Sequence, residues 1–313
     1  MSSPAAELHV VLGATGGAGR AVVTELVRRG KSVRAVSRSG DTFPSGVDAL
    51  RADCTNRAAT ISACEGATVV YHCLNVPYPQ WDKVLPTFAD NALAAADQAD
   101  AALIVTDNLY MYGPTDGPMT ETTPRQPVGP KGRLRLQLEE QFLNAHKNGH
   151  VPVALGRASD FYGPHAHSST RDLVFEAALD GSTAAWLGSL DAPHTLSYLP
   201  DFARGLVTLG THPRALGEIW HLPSNAPITG RAFIEQVYAA ADQSPRMRAY
   251  GYWALSLAGL FDAEAWEARE VLYQFQEAFV MDTQKFDAAF GHSVTPYDDA
   301  IPDTLAWHRR QHA

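Results

Sequence analysis

Two short stretches hold residues whose types and spacing could do chemistry. Gly13-Ala14-Thr15-Gly16-Gly17-Ala18-Gly19 sets glycines at G-x-x-G-x-x-G spacing. Small residues there let the backbone approach a pyrophosphate, whose charge the N-terminus of a following helix favours. Turns and caps also use glycine, so the pattern gains meaning only between a strand and a helix. The second stretch, PVGPKGRLRLQLEE at 127–140, places Lys131 and Arg135 four residues apart. With Pro130 as the first helical residue, both fall on one face. A guanidinium beside an ammonium favours release of the proton, which would make Lys131 a general acid and leave Arg135 to hold a ribose or phosphate. The plainer reading is a basic, solvated helix start neutralised by Glu139 and Glu140.

Further polar groups cluster in TDNLYMYGP. Asn108 is neither acid nor base, but its amide can donate to a carbonyl oxygen. Tyr110 and Tyr112 could supply a phenol, and Tyr112 equally suits packing at a strand end. Aromatics gather at several loops: Tyr78 and Trp81 after Asn75, then Phe161, Tyr162 and His165 beside Asp160, then Trp186 and His194. They suggest a cleft with few positive charges, suited to a modest, partly apolar or cyclic ligand. Each aromatic taken singly also fits core packing. His165 and His167 have H-x-H spacing without an evident third ligand, so no metal is expected. No G-x-S-x-G elbow is present.

The elements that must position these residues follow from periodicity. HVVLG is a β-branched run, AVVTELVRRG has helical spacing closed by Gly30, and SVRAVSR returns to a strand. That is a βαβ unit and implies a parallel sheet. ATVVYHCLN, ALIVTDNLYMYG and VPVALGRA read as further strands, with helices at LPTFADNALAAADQAD and RLRLQLEEQFLNAHKNG. HTLSYLPDFARGLVTLG and GEIWHLPS look like a strand–helix–strand return to the sheet. The pattern predicts a doubly wound α/β Rossmann sheet from 1–157 and 192–222. A smaller, mostly helical lobe from 158–191 and 223–313 would close a cleft. The proline-rich loop at 113–132 is unusually long and so a functional candidate.

A dinucleotide on such a sheet would touch the glycine turn, including Thr15 and Ala18, and the strand ends bearing Cys54, Leu74, Asn75 and Arg157. The second strand ends in Ser37-Arg38-Ser39, and Arg20 follows the last glycine. Arginine there suits a 2′-phosphate, pointing to NADP rather than NAD. Asp53 could hold the adenine amine or cap the next helix.

Bulk properties exclude other classes. A net charge of −9 over 313 residues, with no long basic run, argues against a nucleic-acid surface. Cys54, Cys64 and Cys73 lack C-x-x-C spacing and fit buried thiols in a reducing compartment. The apolar run GYWALSLAGLF at 251–261 is about half the length of a membrane span. A cytoplasmic protein with a small-molecule substrate and no membrane partner is expected.

GATGGAGR, TDNLYMYGP, RASDFYGP and HTLSYLPDFARGL, in that order, resemble the extended and atypical short-chain dehydrogenase/reductases, which include sugar-nucleotide epimerases and dehydratases. The resemblance implies an NAD(P)-binding Rossmann domain and a C-terminal lobe over the substrate. It also implies a serine near the Tyr-Gly pair and a Y-x-x-x-K helix, whose tyrosine gives a proton while nicotinamide gives hydride. Here Asn108 stands at the serine position, Lys131 at the tyrosine and Arg135 at the lysine. Family members resembling isoflavone reductases use a lysine comparably, whereas members resembling NmrA-type regulators bind cofactor without turnover. Non-redox chemistry over a structural cofactor is a third option. The family often dimerises through the helix that here would run 133–147, whose leucines suit a partner or internal packing.

Overall fold

The computed structural model describes residues 7–166 and 174–312. Strands β1 (Leu8–Leu12), β2 (Ser32–Ser37), β3 (Asp48–Arg51), β4 (Val69–His72), β5 (Ala102–Asp107) and β6 (Val153–Arg157) come first. Between them lie helices α1 (Gly17–Arg28), α2 (Arg57–Ala63), α3 (Trp81–Ala99) and α4 (Pro130–Lys147). The chain continues through β7 (Asp160–Tyr162), α5 (Glu176–Leu179), β8 (Ala184–Leu187), β9 (Pro193–His194), β10 (Leu196–Tyr198), α6 (Leu199–Thr211) and β11 (Ile219–His221). It ends with β12 (Ile228–Thr229), α7 (Gly230–Ala240), β13 (Met247–Tyr250), α8 (Tyr252–Ala258), α9 (Ala263–Ala268), a 3₁₀ segment (Arg269–Phe275), α10 (Gln284–Phe290) and α11 (Tyr297–His312).

Seven strands form one sheet in the order β11-β6-β5-β4-β1-β2-β3, and every pair is parallel. Side chains of a strand alternate between faces, and helices cover both, so β1 (LHVVL) is apolar apart from the buried His9. Val10 and Leu12 pack with Leu85, Phe88, Leu138 and Phe142 from α3 and α4. Val11 packs on the other face with Leu26 of α1 and with Phe202 and Leu206 of α6. The doubly wound order reverses between β1 and β4, where a crevice opens at the carboxyl ends of the strands. A third core joins Tyr162, Phe175, Trp186, Phe233 and Leu305 from the elements after β6. The last part of the chain serves two cores, because Phe286 of α10 packs on the sheet side.

Three local expectations change. The strand at ALIVTDNLYMYG stops at Asp107, because Asn108 Oδ1 accepts the Tyr110 backbone N–H at 3.2 Å and turns the chain. The strand in HTLSY does not rejoin the large sheet; β10 pairs with β7 in a two-stranded parallel sheet, and only β11 returns. Helix α3 begins earlier than LPTFADN suggests, at Trp81, behind a 3₁₀ turn at Tyr78–Gln80.

All three cysteines are free and buried. On α4 the exposed stripe is Arg133, Gln137, Glu140, Asn144 and Lys147, while Leu134, Leu138 and Leu143 pack inward. Among the described residues no helix is long and apolar enough to cross a membrane. The 251–261 run instead forms α8 and the turn after it, with Trp253, Leu257, Leu260 and Phe261 largely exposed.

Candidate active site

The four glycines of the turn are required for different reasons. Gly13 has φ +80°, and a Cβ there would lie 2.7 Å from the Cys73 carbonyl oxygen. A Cβ on Gly19 would run into the Gly13 carbonyl, and one on Gly17 into the His165 carbonyl. Packing alone explains these three. Gly16 is exposed, and the nearest atom to a Cβ there is the Gly13 oxygen at an ordinary 3.5 Å. It is the N-cap of α1, offers no side-chain cap, and the first turn carries no acidic residue. The α1 N-terminus therefore presents free N–H groups beside a residue kept small without internal crowding, which fits a phosphate. Thr15 and Ala18 flank it, half-buried.

At the β2 end, the buried Ser37 hydroxyl accepts the Gly40 N–H at 3.1 Å, and Arg38 is exposed. Arg20 is already paired with Asp41 at 3.1 Å and lies over the Phe43 ring. Asp53 is exposed, and hydrogen bonds from the Thr55 backbone and hydroxyl hold its carboxyl below the usual range. Both bonds fall on Oδ1, which leaves Oδ2 for a ligand amine. Asn56, not Asp53, caps α2. Cys54 is buried, which pushes its thiol up to about 11, so a ligand would meet its backbone. Leu74 lies against the glycine turn and Asn75 is exposed beside it.

Helix α4 starts at Pro130, and Lys131 and Arg135 share a face over the aromatic pair Tyr78 and Trp81. Their partners are not each other. Lys131 is buried, and its ammonium bonds Glu267 and, at 3.2 Å, Glu270. Glu270 also accepts the Lys131 backbone N–H at 2.7 Å and so caps α4, whose N-cap, Gly129, has no side chain to do so. A Cβ on Gly129 would collide with that carboxylate. Arg135 stacks 4.4 Å from the Trp81 centroid and lies 3.8 Å from Asp107. Glu139 turns away to Arg125 and Arg157, and Glu140 is exposed. The guanidinium expected beside the ammonium is thus replaced by two carboxylates arriving from 136 and 139 residues downstream.

Tyr110 donates or accepts a 2.6 Å hydrogen bond with Tyr78. Burial, with the Tyr78 and Asp160 charges, raises its phenol well above the usual range. Asn108 uses Oδ1 for the turn, leaving its NH2 to donate. Asp160 Oδ2 lies 2.8 Å from His194 Nε2, and His194 Nδ1 lies 3.1 Å from the Gln274 carbonyl.

Several expected site residues are elsewhere. Arg157 is wholly buried, bonding Asp107 at 2.9 Å, the Tyr112 hydroxyl at 2.6 Å and Glu139. Its guanidinium is taken up inside the protein rather than offered to a ligand. Tyr112 is buried between Arg157 and His221. Trp81 is buried with its indole N–H on the Val76 carbonyl. Tyr162 and Trp186 belong to the third core, and Phe161 packs on Phe202. His165 presents its carbonyl to Gly17 and its ring to Trp307, by the glycine turn rather than the aromatic cleft. His167 lies outside the described residues, among which no group of three or more His, Cys, Asp or Glu is placed to hold a metal ion. Sequence reasoning missed Glu267, Glu270, Tyr273 and Gln274; the only local signal is the three-residue spacing of the two glutamates.

Residues 9–222 match the family model described as NAD dependent epimerase/dehydratase family. The chain belongs to that family. A curated relative, the uncharacterized protein y4nL of Sinorhizobium fredii (strain NBRC 101917 / NGR234), is 25% identical over 224 residues. The match covers 69% of this chain and 61% of the relative, so it spans less than two thirds of that protein's length. Among solved structures, the UDP-glucuronic acid 4-epimerase from Bacillus cereus in complex with NAD aligns with TM-score 0.79 at 17% identity, over 98% of this chain and 100% of that one. The dTDP-glucose 4,6-dehydratase from Bacillus anthracis with NAD aligns at 0.80 and 15% identity, over 98% of each. At such identities the likeness is one of fold, and the epimerase/dehydratase fold accounts for the seven-stranded order.

Proposed function

We propose that this family member is an NADP(H)-dependent oxidoreductase or epimerase acting on a small, partly apolar substrate at a carbonyl, enone or corresponding alcohol. The observation that carries the cofactor is Gly16, open and exposed at the α1 N-terminus while its neighbouring glycines are needed for packing. The glycine turn would hold the pyrophosphate, Asp53 the adenine amine, and Leu74 and Asn75 the wall between them. Arg38, exposed where Arg20 is already paired, would meet a 2′-phosphate. When bound, the cofactor would supply hydride transfer to or from a carbon of the substrate.

Charge balance in the cleft favours a small substrate over a nucleoside diphosphate sugar. Lys131 is matched by Glu267 and Glu270, and Arg135 and Arg157 are drawn to Asp107. Each of these three cations already faces a carboxylate rather than an open diphosphate site, while Tyr78, Tyr110 and the Asn108 amide offer an aromatic wall and hydrogen bonds to oxygen. Lys131 would keep the α4 start closed, and Asn108 would orient the substrate oxygen.

A second reading, a cofactor-binding sensor without turnover, draws on the same contact, because an ammonium held by two carboxylates is poorly placed to release a proton to a ligand. Fluorescence titration with NADPH and NADH, followed by hydride turnover on a panel of aryl carbonyls, enones and aryl alcohols, separates the two. The enzyme reading expects NADPH to bind more tightly than NADH and at least one compound to turn over. Tight NADPH binding without hydride transfer to or from any of them would leave the sensor.

A further inference from the structure

The cleft holds one ionisable pair that the family-motif positions do not account for. Asp160 on β7 and His194 on β9 stand side by side although they belong to separate ribbons, β7–β10 and β9–β12, because β9 runs directly into β10 along the chain. Only 3% of the His194 side chain is exposed, against 23% for Asp160. The ring lies between Phe275 and Phe279, with centroids at 4.8 and 5.3 Å, so its orientation is fixed. Both nitrogens face acceptors. The Gln274 carbonyl can only accept, so Nδ1 carries a proton. At 2.8 Å a bare Nε2 would oppose a carboxylate lone pair, so the contact carries a second proton, which a basic Asp160 requires to sit on Nε2 and be donated to Oδ2. The Ser159 hydroxyl, 3.5 Å from Nε2, is too distant to replace that bond.

This engagement falls on Oδ2 and leaves Oδ1 for the cleft. Around the carboxylate stand the phenols of Tyr110 and Tyr273, each sensitive to its charge, with Tyr78, Glu270 and Lys131 beyond them. Asp160 begins the segment that follows β6 at its carboxyl end and leads to the His165 carbonyl over Gly17. It therefore lies on the path from the sheet crevice to the glycine turn. Lys131 is tied to two glutamates and Tyr110 to Tyr78, so neither is as free to exchange a proton.

We infer that Asp160 is the general base of the site and that its substrate enters as a secondary alcohol; the inference rests on the cofactor reading above. The substrate O–H bond breaks and an H–Oδ1 bond forms, while the two C–H electrons leave with hydrogen as hydride to the oxidised cofactor, giving a carbonyl. The proton on Nε2–Oδ2 stays in place throughout. His194 is a positioning residue: it holds Oδ2 so that Oδ1 points outward, and its charge balances the carboxylate.

The test has two arms. In cofactor-free, 15N-histidine-labelled protein, NMR is expected to show a low-field proton coupled to His194 Nε2 that disappears in Asp160→Asn. Its absence from the wild-type protein overturns the pair, whatever the cofactor does. With NADP+ and a panel of aryl secondary alcohols such as 1-phenylethanol, Asp160→Asn is expected to lower kcat by about 100-fold or more with little change in KM. His194→Gln, which keeps a donor toward Oδ2, is expected to lower kcat less, and Asp160→Glu to restore part of the loss. An unchanged kcat in Asp160→Asn, or a wild-type protein that binds NADP+ yet oxidises none of the alcohols, overturns the assignment. Failure to bind any nicotinamide dinucleotide instead sinks the cofactor reading, while the low-field proton still judges the pair.

Discussion

At the residue scale, a side chain's chemistry depends on what arrives beside it from elsewhere in the chain. Arg38 illustrates the legible case. Its place at the end of a strand followed from the βαβ pattern, and the structure leaves it exposed while Arg20 is drawn to Asp41. Replacing Arg38 with alanine is expected to weaken NADPH binding by roughly tenfold, about 1.4 kcal/mol, and to leave NADH binding nearly unchanged, as read by fluorescence titration. Equal loss for both cofactors would remove the 2′-phosphate argument. Lys131 is the illegible case. Its helical face was readable from Pro130 and the four-residue spacing to Arg135, but its carboxylate partners lie in a segment whose sequence carries no motif. Arg157 failed in the same way: a basic residue at a strand end looks available until Asp107, Glu139 and Tyr112 close around it.

Elements were clearer, because hydrophobic period and turn chemistry are local. Strand β1 and helix α1 needed only HVVLG and the spacing of Val22, Val23 and Leu26. Strand β10 was misplaced because a short apolar run says nothing about which sheet it joins, and three residues fit a two-stranded ribbon as well as a large sheet. The glycine turn separates packing from binding within one element. Gly19→Ala pushes a methyl group into the Gly13 carbonyl and is expected to lower the melting temperature by several degrees, with cofactor affinity falling alongside. Gly16→Ala meets only ordinary contacts, so its melting curve should match wild type while NADPH binding weakens about tenfold or more. A Gly16→Ala protein with unaltered affinity would show that no phosphate approaches that backbone.

For the molecule as a whole, buried neutral histidines tie stability to pH. Burial, the largest cause in each case, pulls His9 and His72 down to about 4 and His221 to about 3. The unfolded chain protonates these rings as pH falls below about 6.5, while the folded chain resists until about 4. More protons are then bound by the unfolded state, so stability drops as pH falls through that window, by an amount on the order of a few kcal/mol between pH 6.5 and 5. Urea unfolding at pH 7.5, 6 and 5 measures this, and replacing His72 with a residue that does not titrate should flatten part of the slope. A midpoint independent of pH across the range would contradict it.

The cap that Glu270 places on α4 also bears on the order in which the protein assembles. Strands β1 to β6 and helices α1 to α4 all lie within the first 157 residues, yet the first turn of α4 waits for a carboxylate 139 positions downstream. Closing so long a loop costs entropy before any contact returns it, which makes this among the slower events of folding. A growing chain would thus hold a nearly finished parallel sheet whose cleft-side helix is still frayed at Lys131. Docking of residues 263–275 on α4 is then the step that completes that wall of the cleft.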